Sequence, residues 1–155
     1  MTANAERLLW ELAQRPLIEG VLLHYCEAVD LNDPERLVTE VFAPDGRFEL
    51  GSKRAVVGSE ALREMFGKTF TQFDACSHHL SNVRITITGD DTADASAYVY
   101  AWHRFVPGGE RVDLWGRYHD RLRLVDGDWR IASRRLTVAG DEWPGSPFER
   151  IPRKP

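Results

Sequence analysis

Cysteine is scarce: the 155 residues hold only Cys26 and Cys76. Two thiols in no metal-ligand or redox spacing exclude a disulfide scaffold, and they predict reduced side chains in a cytoplasmic protein. Cys26 falls on an apolar helical stretch, where cysteine behaves as a small hydrophobe. Positive charge is in short supply as well. With 20 basic against 24 acidic residues the formal net charge is -4, which provides no basic field for nucleic acid or an anionic membrane surface. No apolar run approaches the ~20 residues that span a bilayer, and the first seven residues lack the basic-then-apolar layout of a secretory leader. Glycine-rich phosphate loops, nucleophile elbows and Cys–His pairs of recognisable spacing are all missing, so no motif implies a cofactor.

What is present reads as one globular domain: 43% hydrophobic and 28% charged residues in a chain long enough for a substantial core or an enclosed pocket. The organising stretch is Val21 to Asp30. Ile18, Val21, Leu22, Tyr25 and Val29 keep the i, i+3, i+4, i+7 rhythm of a buried helical face. Asp30 closes that helix, just before the helix-stopping Leu31-Asn32-Asp33-Pro34. A carboxylate in the last turn meets the unfavourable end of the helix dipole, so it wants a cationic or donor partner.

Around this stretch the pattern predicts helices first and strands second. Residues 5–14 read as a first helical segment, with Pro16 in the opening turn of the next. Asp33 and Pro34 open a short helix that carries Leu37, Val38, Val41 and Phe42. Ala43-Pro44-Asp45-Gly46 reads as a turn, 47–50 as a strand, and Gly51 to Arg54 as a hairpin turn into a strand at 55–57. Ser59 is the expected cap of a third helix with Leu62, Met65, Phe66 and Phe70 on its inner face. Strands are expected near 78–88, 92–106, 111–125 and 128–138, separated by glycine-containing turns. The domain spans 1–140. Residues 141–155, with four prolines, read as an extended tail suited to lie across a neighbouring subunit. Helices followed by a long antiparallel meander make an α+β domain with a single pocket, the default place for function.

The candidate chemistry rests on histidine and arginine. His24 and His119 have surface surroundings. His78 and His79 open the first long strand, and alternation sends one inward and the other out. Parity favours His79, which shares a face with Val83, Ile85 and Ile87; a bulge near the strand start reverses the choice. His103 lines up with Val99, Ala101 and Phe105. Read from the residues alone, each inward histidine serves equally well as core or catalyst. Of Arg134 and Arg135 one points inward and needs an acidic partner or an anionic ligand. No histidine and carboxylate spacing completes a metal site.

Five segments carry a resemblance to a known family. Tyr25-Cys26-Glu27-Ala28-Val29-Asp30, Val41 to Gly46, His78-His79-Leu80-Ser81-Asn82, Gly116 to Asp120 and Asp126 to Ile131 together resemble the SnoaL-like, NTF2-like cone proteins. The nearest branch is that of scytalone dehydratase, hexachlorocyclohexane dehydrochlorinase and bile-acid 7α-dehydratase. The resemblance implies a curved, mainly antiparallel sheet with about three N-terminal helices enclosing one pocket. It also implies a cofactor-free elimination without metal, acting on a small hydrophobic cyclic substrate, in a dimer or trimer.

Residue by residue, Asp30 falls on the group's helix-end aspartate and His78 on its general base, four residues before Asn82, with His79 in reserve. Tyr25 matches the tyrosine of the bile-acid enzyme, Arg134 the arginine that steadies the leaving group in the dehydrochlorinase, and His103 the second histidine of scytalone dehydratase. Phe48, Phe66, Trp102 and Tyr118 are the expected substrate contacts. Two tyrosines of scytalone dehydratase fall on Val29 and Leu50 here, which argues against scytalone itself. The alternatives within the superfamily are a cyclase, a ketosteroid-isomerase-like enzyme or a non-catalytic small-molecule binder.

Overall fold

The computed structural model describes residues 2–50, 55–106, 109–146 and 148–152. The predicted hairpin turn at 51–54 lies outside them, as does part of the turn near 107. The chain opens with a single long helix, α1 (Ala3–Asp30), capped by Thr2, whose hydroxyl accepts the Ala5 N–H. The expected break at Pro16 does not occur. Proline removes one hydrogen bond inside a helix, at a cost of ~3 kcal/mol, but Leu12 and Pro16 are both exposed, so water can reach the freed carbonyl. One turn later Ile18 and Leu22 are fully buried, and burial of a large apolar side chain contributes roughly 1.5–3 kcal/mol. The buried face holds the helix together across the proline.

After Asp30 comes α2 (Pro34–Arg36), capped by Asp33, which runs straight into a π-helical turn over Leu37–Val41. Strand β1 (Phe42–Leu50) follows, and the predicted turn at 43–46 is absorbed into it as an irregularity. Against its partner strand, the register slips between Phe42 and Arg47. Gly46 makes this possible: a Cβ there would sit 2.7 Å from the Ala43 carbonyl oxygen. Next are β2 (Ala55–Val57) and α3 (Ser59–Phe70). The cap of α3 is Gly58 at φ 88°, not Ser59. Ser59 sits in the first turn, and its hydroxyl donates to the Pro44 carbonyl at 3.2 Å. Leu62, Phe66 and Phe70 are buried on its inner face.

Four long strands complete the chain: β3 (Phe73–Ile87), β4 (Thr92–Phe105), β5 (Arg111–Val125) and β6 (Asp128–Asp141). They join β1 and β2 in one six-stranded sheet of order β2-β1-β6-β5-β4-β3. The β1–β6 pair is parallel and the others antiparallel. The sheet is therefore mixed, and with three helices the fold is α+β. Helix α1 packs on β3 and β6, and α3 on β1 and β2. The core between them includes Ile18, Leu22, Phe42, Leu62, Ile131 and Val138. Among the described residues no helix is long and apolar enough to cross a membrane.

The C-terminal segment does not trail away from the domain. After β6 it turns back, with Asp141 accepting from the Trp143 N–H and the Ser146 hydroxyl, both at 2.9 Å. It then lies beside β6: the Val138 N–H donates to Glu149 at 2.8 Å and the Ile151 N–H to Val138 at 2.9 Å. Arg135 clamps Glu149 at 2.7 Å. The described part of the tail thus covers its own domain, and carries Trp143 and Phe148 to the pocket.

Candidate active site

Helix α1 ends where Asn32 adopts the left-handed region at φ 58° and the Asp33 N–H closes onto Ala28 at 2.8 Å. That leaves the Asp30 carboxylate beside the carbonyl end of the helix, in need of donors. It finds two on a single residue of β3. The backbone N–H of His78 donates to Oδ2 at 3.0 Å, and the His78 ring Nδ1 lies 2.7 Å from Oδ1. The His78 side chain is 6% exposed and that of Asp30 27%. With the carboxylate accepting, the proton belongs on Nδ1, and Nε2 carries the free lone pair.

Parity pointed to His79, and the structure gives the reason it fails. The β3–β4 register pairs Ser81 with Tyr98 but Arg84 with Ser96, so β3 carries one extra residue. Asn82 takes up the defect at φ 52°. Beyond this bulge Val83, Ile85 and Ile87 face the core; before it Cys76, His78 and Leu80 do. His79 faces out, where its Nε2 meets the Ser77 hydroxyl at 3.0 Å and its ring stacks on Tyr100. His24 and His119 are exposed, as expected.

His78 opens onto an apolar cavity of about 110 Å³ between α1, α3 and the sheet, walled on one side by the tail. His103, 8% exposed, stands perpendicular to His78 with ring centroids 5.2 Å apart and packs on Trp143 at 5.3 Å. Burial and the neighbouring His78 push His103 down to about 4, so its ring is neutral at neutral pH and its Nδ1 has no hydrogen-bond partner. Tyr25 and Tyr118 also line the cavity. Burial pushes Tyr25 up to about 12 against the opposing Arg134 charge, so the phenol is a hydrogen-bond donor. Phe48 and Phe66 line the cavity as predicted.

Two predicted residues lie elsewhere. Trp102 alternates with the inward Ala101 and His103 and belongs to the opposite face of β4, outside the cavity lining. Arg134 is the inward arginine of its pair, but it sits beneath the cavity and has no exposed surface. Asp120, its register partner on β5, holds it with bonds of 2.8 and 2.7 Å. Its guanidinium lies between the rings of Tyr25 and Tyr118, at 4.0 and 4.2 Å. The expected acidic partner exists, and the arginine supports the two tyrosines from below.

Three residues escaped the sequence reading: Asp120, Trp143 and Cys76. The Cys76-Ser77-His78 spacing held the signal for Cys76, since residues two apart on a strand share a face. Its thiol donates to the Val29 carbonyl at 3.5 Å. Burial and the adjacent Asp30 carboxylate push it up to about 12, which keeps it protonated. Among the described residues Asp30, Cys76 and His78 form a group whose ligand atoms all lie within 4.8 Å of one another.

Comparison with known proteins assigns the fold to a family. Residues 10–135 match the SnoaL-like domain, and the chain belongs to that family. Among solved structures it is similar to a protein of Novosphingobium aromaticivorans provisionally called a scytalone dehydratase. That similarity has 26% identity and TM-score 0.87, over 94% of this chain and 97% of the other. A second protein of the same organism, provisionally called an aromatic ring hydroxylase, has 28% identity and TM-score 0.75, over 81% and 88%. A hexachlorocyclohexane dehydrochlorinase of Novosphingobium barchaimii shares the fold at 16% identity and TM-score 0.77, over 94% and 99%. No curated protein matches.

Proposed function

We propose that this chain is a cofactor-free lyase that catalyses a dehydratase-type elimination on a small hydrophobic cyclic substrate. The observation that carries the reading is the Asp30–His78 pair at 2.7 Å, opening onto an apolar cavity. Similarity to proteins named for dehydration and dehydrochlorination supports the same class. Asp30 holds His78 in the tautomer that presents Nε2 as base and offsets the charge of the imidazolium. Nε2 takes a proton from the carbon next to a carbonyl or other activating group. The C–H electron pair becomes the new double bond and the C–O bond breaks. The departing hydroxide takes the proton from His78, leaving as water and restoring the neutral ring.

The neutral His103 and the Tyr25 phenol donate hydrogen bonds to the oxygens on which charge develops, as neutral donors do in water-excluded sites. Phe48, Phe66 and Tyr118 hold the ring of the substrate. Arg134 acts from beneath, by orienting Tyr25 and Tyr118. The enclosing cone shape and assembly into a dimer or trimer belong to the same proposal; exposed Tyr98, Tyr100 and Trp115 on the sheet support the latter.

The test is a panel of cyclic ketones bearing a β-hydroxyl or β-halide, followed by the absorbance of the conjugated product. Wild type should turn over at least one compound, with Asp30→Asn and His78→Ala reduced by about 10²–10⁴-fold. Equal turnover by all three proteins would exclude the dyad. Tight binding without turnover by all three would make the chain a binding module.

A further inference from the structure

Cys76 has no part in that chemistry, yet it stands against both members of the dyad. We propose that Asp30, Cys76 and His78 form a binding site for a thiophilic divalent cation of the Zn²⁺ class, and that the ion competes with the dyad's own proton for His78 Nδ1.

The donors are already gathered, with carboxylate, sulfur and ring-nitrogen atoms all within 4.8 Å of one another. Each is held by a different constraint. The end of α1 fixes Asp30, and two bonds from His78 fix its carboxylate. Cys76 and His78 point the same way because they are two apart on β3. An ion bonded at about 2.0–2.3 Å with tetrahedral angles holds its oxygen, nitrogen and sulfur about 3.2–3.7 Å apart, so donors gathered within 4.8 Å need to draw in around it. Oδ1 and Nδ1, now 2.7 Å apart, need to spread by only about half an ångström for tetrahedral angles.

The charge suits the surroundings. A carboxylate and a thiolate around a dication make a neutral complex, which an apolar cavity accepts far more readily than an isolated charge. The protons balance too. The Nδ1 proton of His78 reappears on Nε2, and the thiol releases one proton to solvent for each ion bound. Soft sulfur with imidazole selects zinc, cobalt or cadmium over magnesium and calcium.

A second observation points to the same place. His103 is the register partner of Cys76 on β4, is 8% exposed, and has an Nδ1 that no protein group satisfies. It lies outside the gathered ligand atoms and offers an acceptor for a metal-bound water. Once the ion holds Nδ1, Nε2 is protonated and no longer a base, so the occupied state is catalytically silent.

The experiment needs no substrate, so it stands or falls apart from the proposed elimination. The metal-free full chain is titrated with Co²⁺ and followed by absorption. One equivalent should produce a thiolate-to-cobalt charge-transfer band with tetrahedral visible bands, and Zn²⁺ should bleach both. Cys76→Ser should abolish the charge-transfer band, and His78→Ala should weaken binding by about 10–100-fold or more. Cys26→Ser should leave both intact, and circular dichroism verifies that each variant folds. Absence of the band in wild type overturns the proposal, as does a band that survives Cys76→Ser or disappears in Cys26→Ser.

Discussion

His78 grips Asp30 twice, through its backbone N–H at 3.0 Å and its ring Nδ1 at 2.7 Å. A side chain bound to both the main chain and the ring of one residue cannot drift without losing both bonds. The grip also answers the awkward position of a carboxylate at the C-terminal end of a helix.

Asp30→Asn tests what the carboxylate adds beyond shape. The amide keeps the volume but offers one acceptor where two are used, and it cannot stabilise an imidazolium. Turnover of a substrate identified by the panel should fall by at least about 10²-fold. The nitrogen resonances of His78 should report loss of the Nδ1–H tautomer, and the thermal midpoint should move little. A His78 ring unchanged in tautomer would count against the orienting role.

His103 makes stability depend on pH. Its folded-state value is lowered from 6.5 to about 4, so the unfolded chain binds more protons between those limits. Stability is therefore fully present above pH 6.5 and drains away as pH falls toward 4, by roughly 3 kcal/mol in all. Urea unfolding at several pH values should show His103→Gln losing less stability on acidification than wild type. Parallel losses in the two proteins would refute it.

The Arg134–Asp120 pair should behave as a buried ion pair does. Arg134→Met or Asp120→Asn alone leaves one group stranded and should cost about 3–5 kcal/mol in urea unfolding. Replacing both by apolar residues should recover much of that loss. The double variant should keep its dyad, yet lose organisation around Tyr25 and Tyr118, which near-ultraviolet circular dichroism detects.

Asn82 carries the bulge in the left-handed region, where a side chain branched at Cβ is strained. Asn82→Val should cost about 1–2 kcal/mol and Asn82→Gly only a few tenths. Differential scanning calorimetry of the two variants separates this backbone effect from any loss of contacts, since Asn82 is exposed.

Which features were readable in advance follows from how local each one is. The last turns of the Asp30 helix, β4 to β6 and the inward face of β4 all rest on short-range periodicity and appear where the pattern places them. Strand β3, by contrast, begins at Phe73, five residues before its expected start at 78. Choosing between His78 and His79 required knowing that one extra residue sits between Ser81 and Arg84, and nothing in the side-chain pattern marks it. The resemblance chose His78 by its place four residues before Asn82, independently of the side-chain pattern. Asp120 was invisible as the partner of Arg134 because strand register is a tertiary property. Pro16 misled because local propensity said break while the buried face of α1 outweighed it. Trp102 misled because aromaticity alone says nothing about which side of a strand a residue occupies.

The tail has a practical consequence for handling the protein. Trp143 and Phe148 are part of the cavity wall, and the main chain near Glu149 and Ile151 is stitched to Val138. A truncation after β6 made to aid crystallisation would therefore remove one side of the cavity, and a bulky insertion between Asp141 and Ile151 would pull the stitched segment away from Val138.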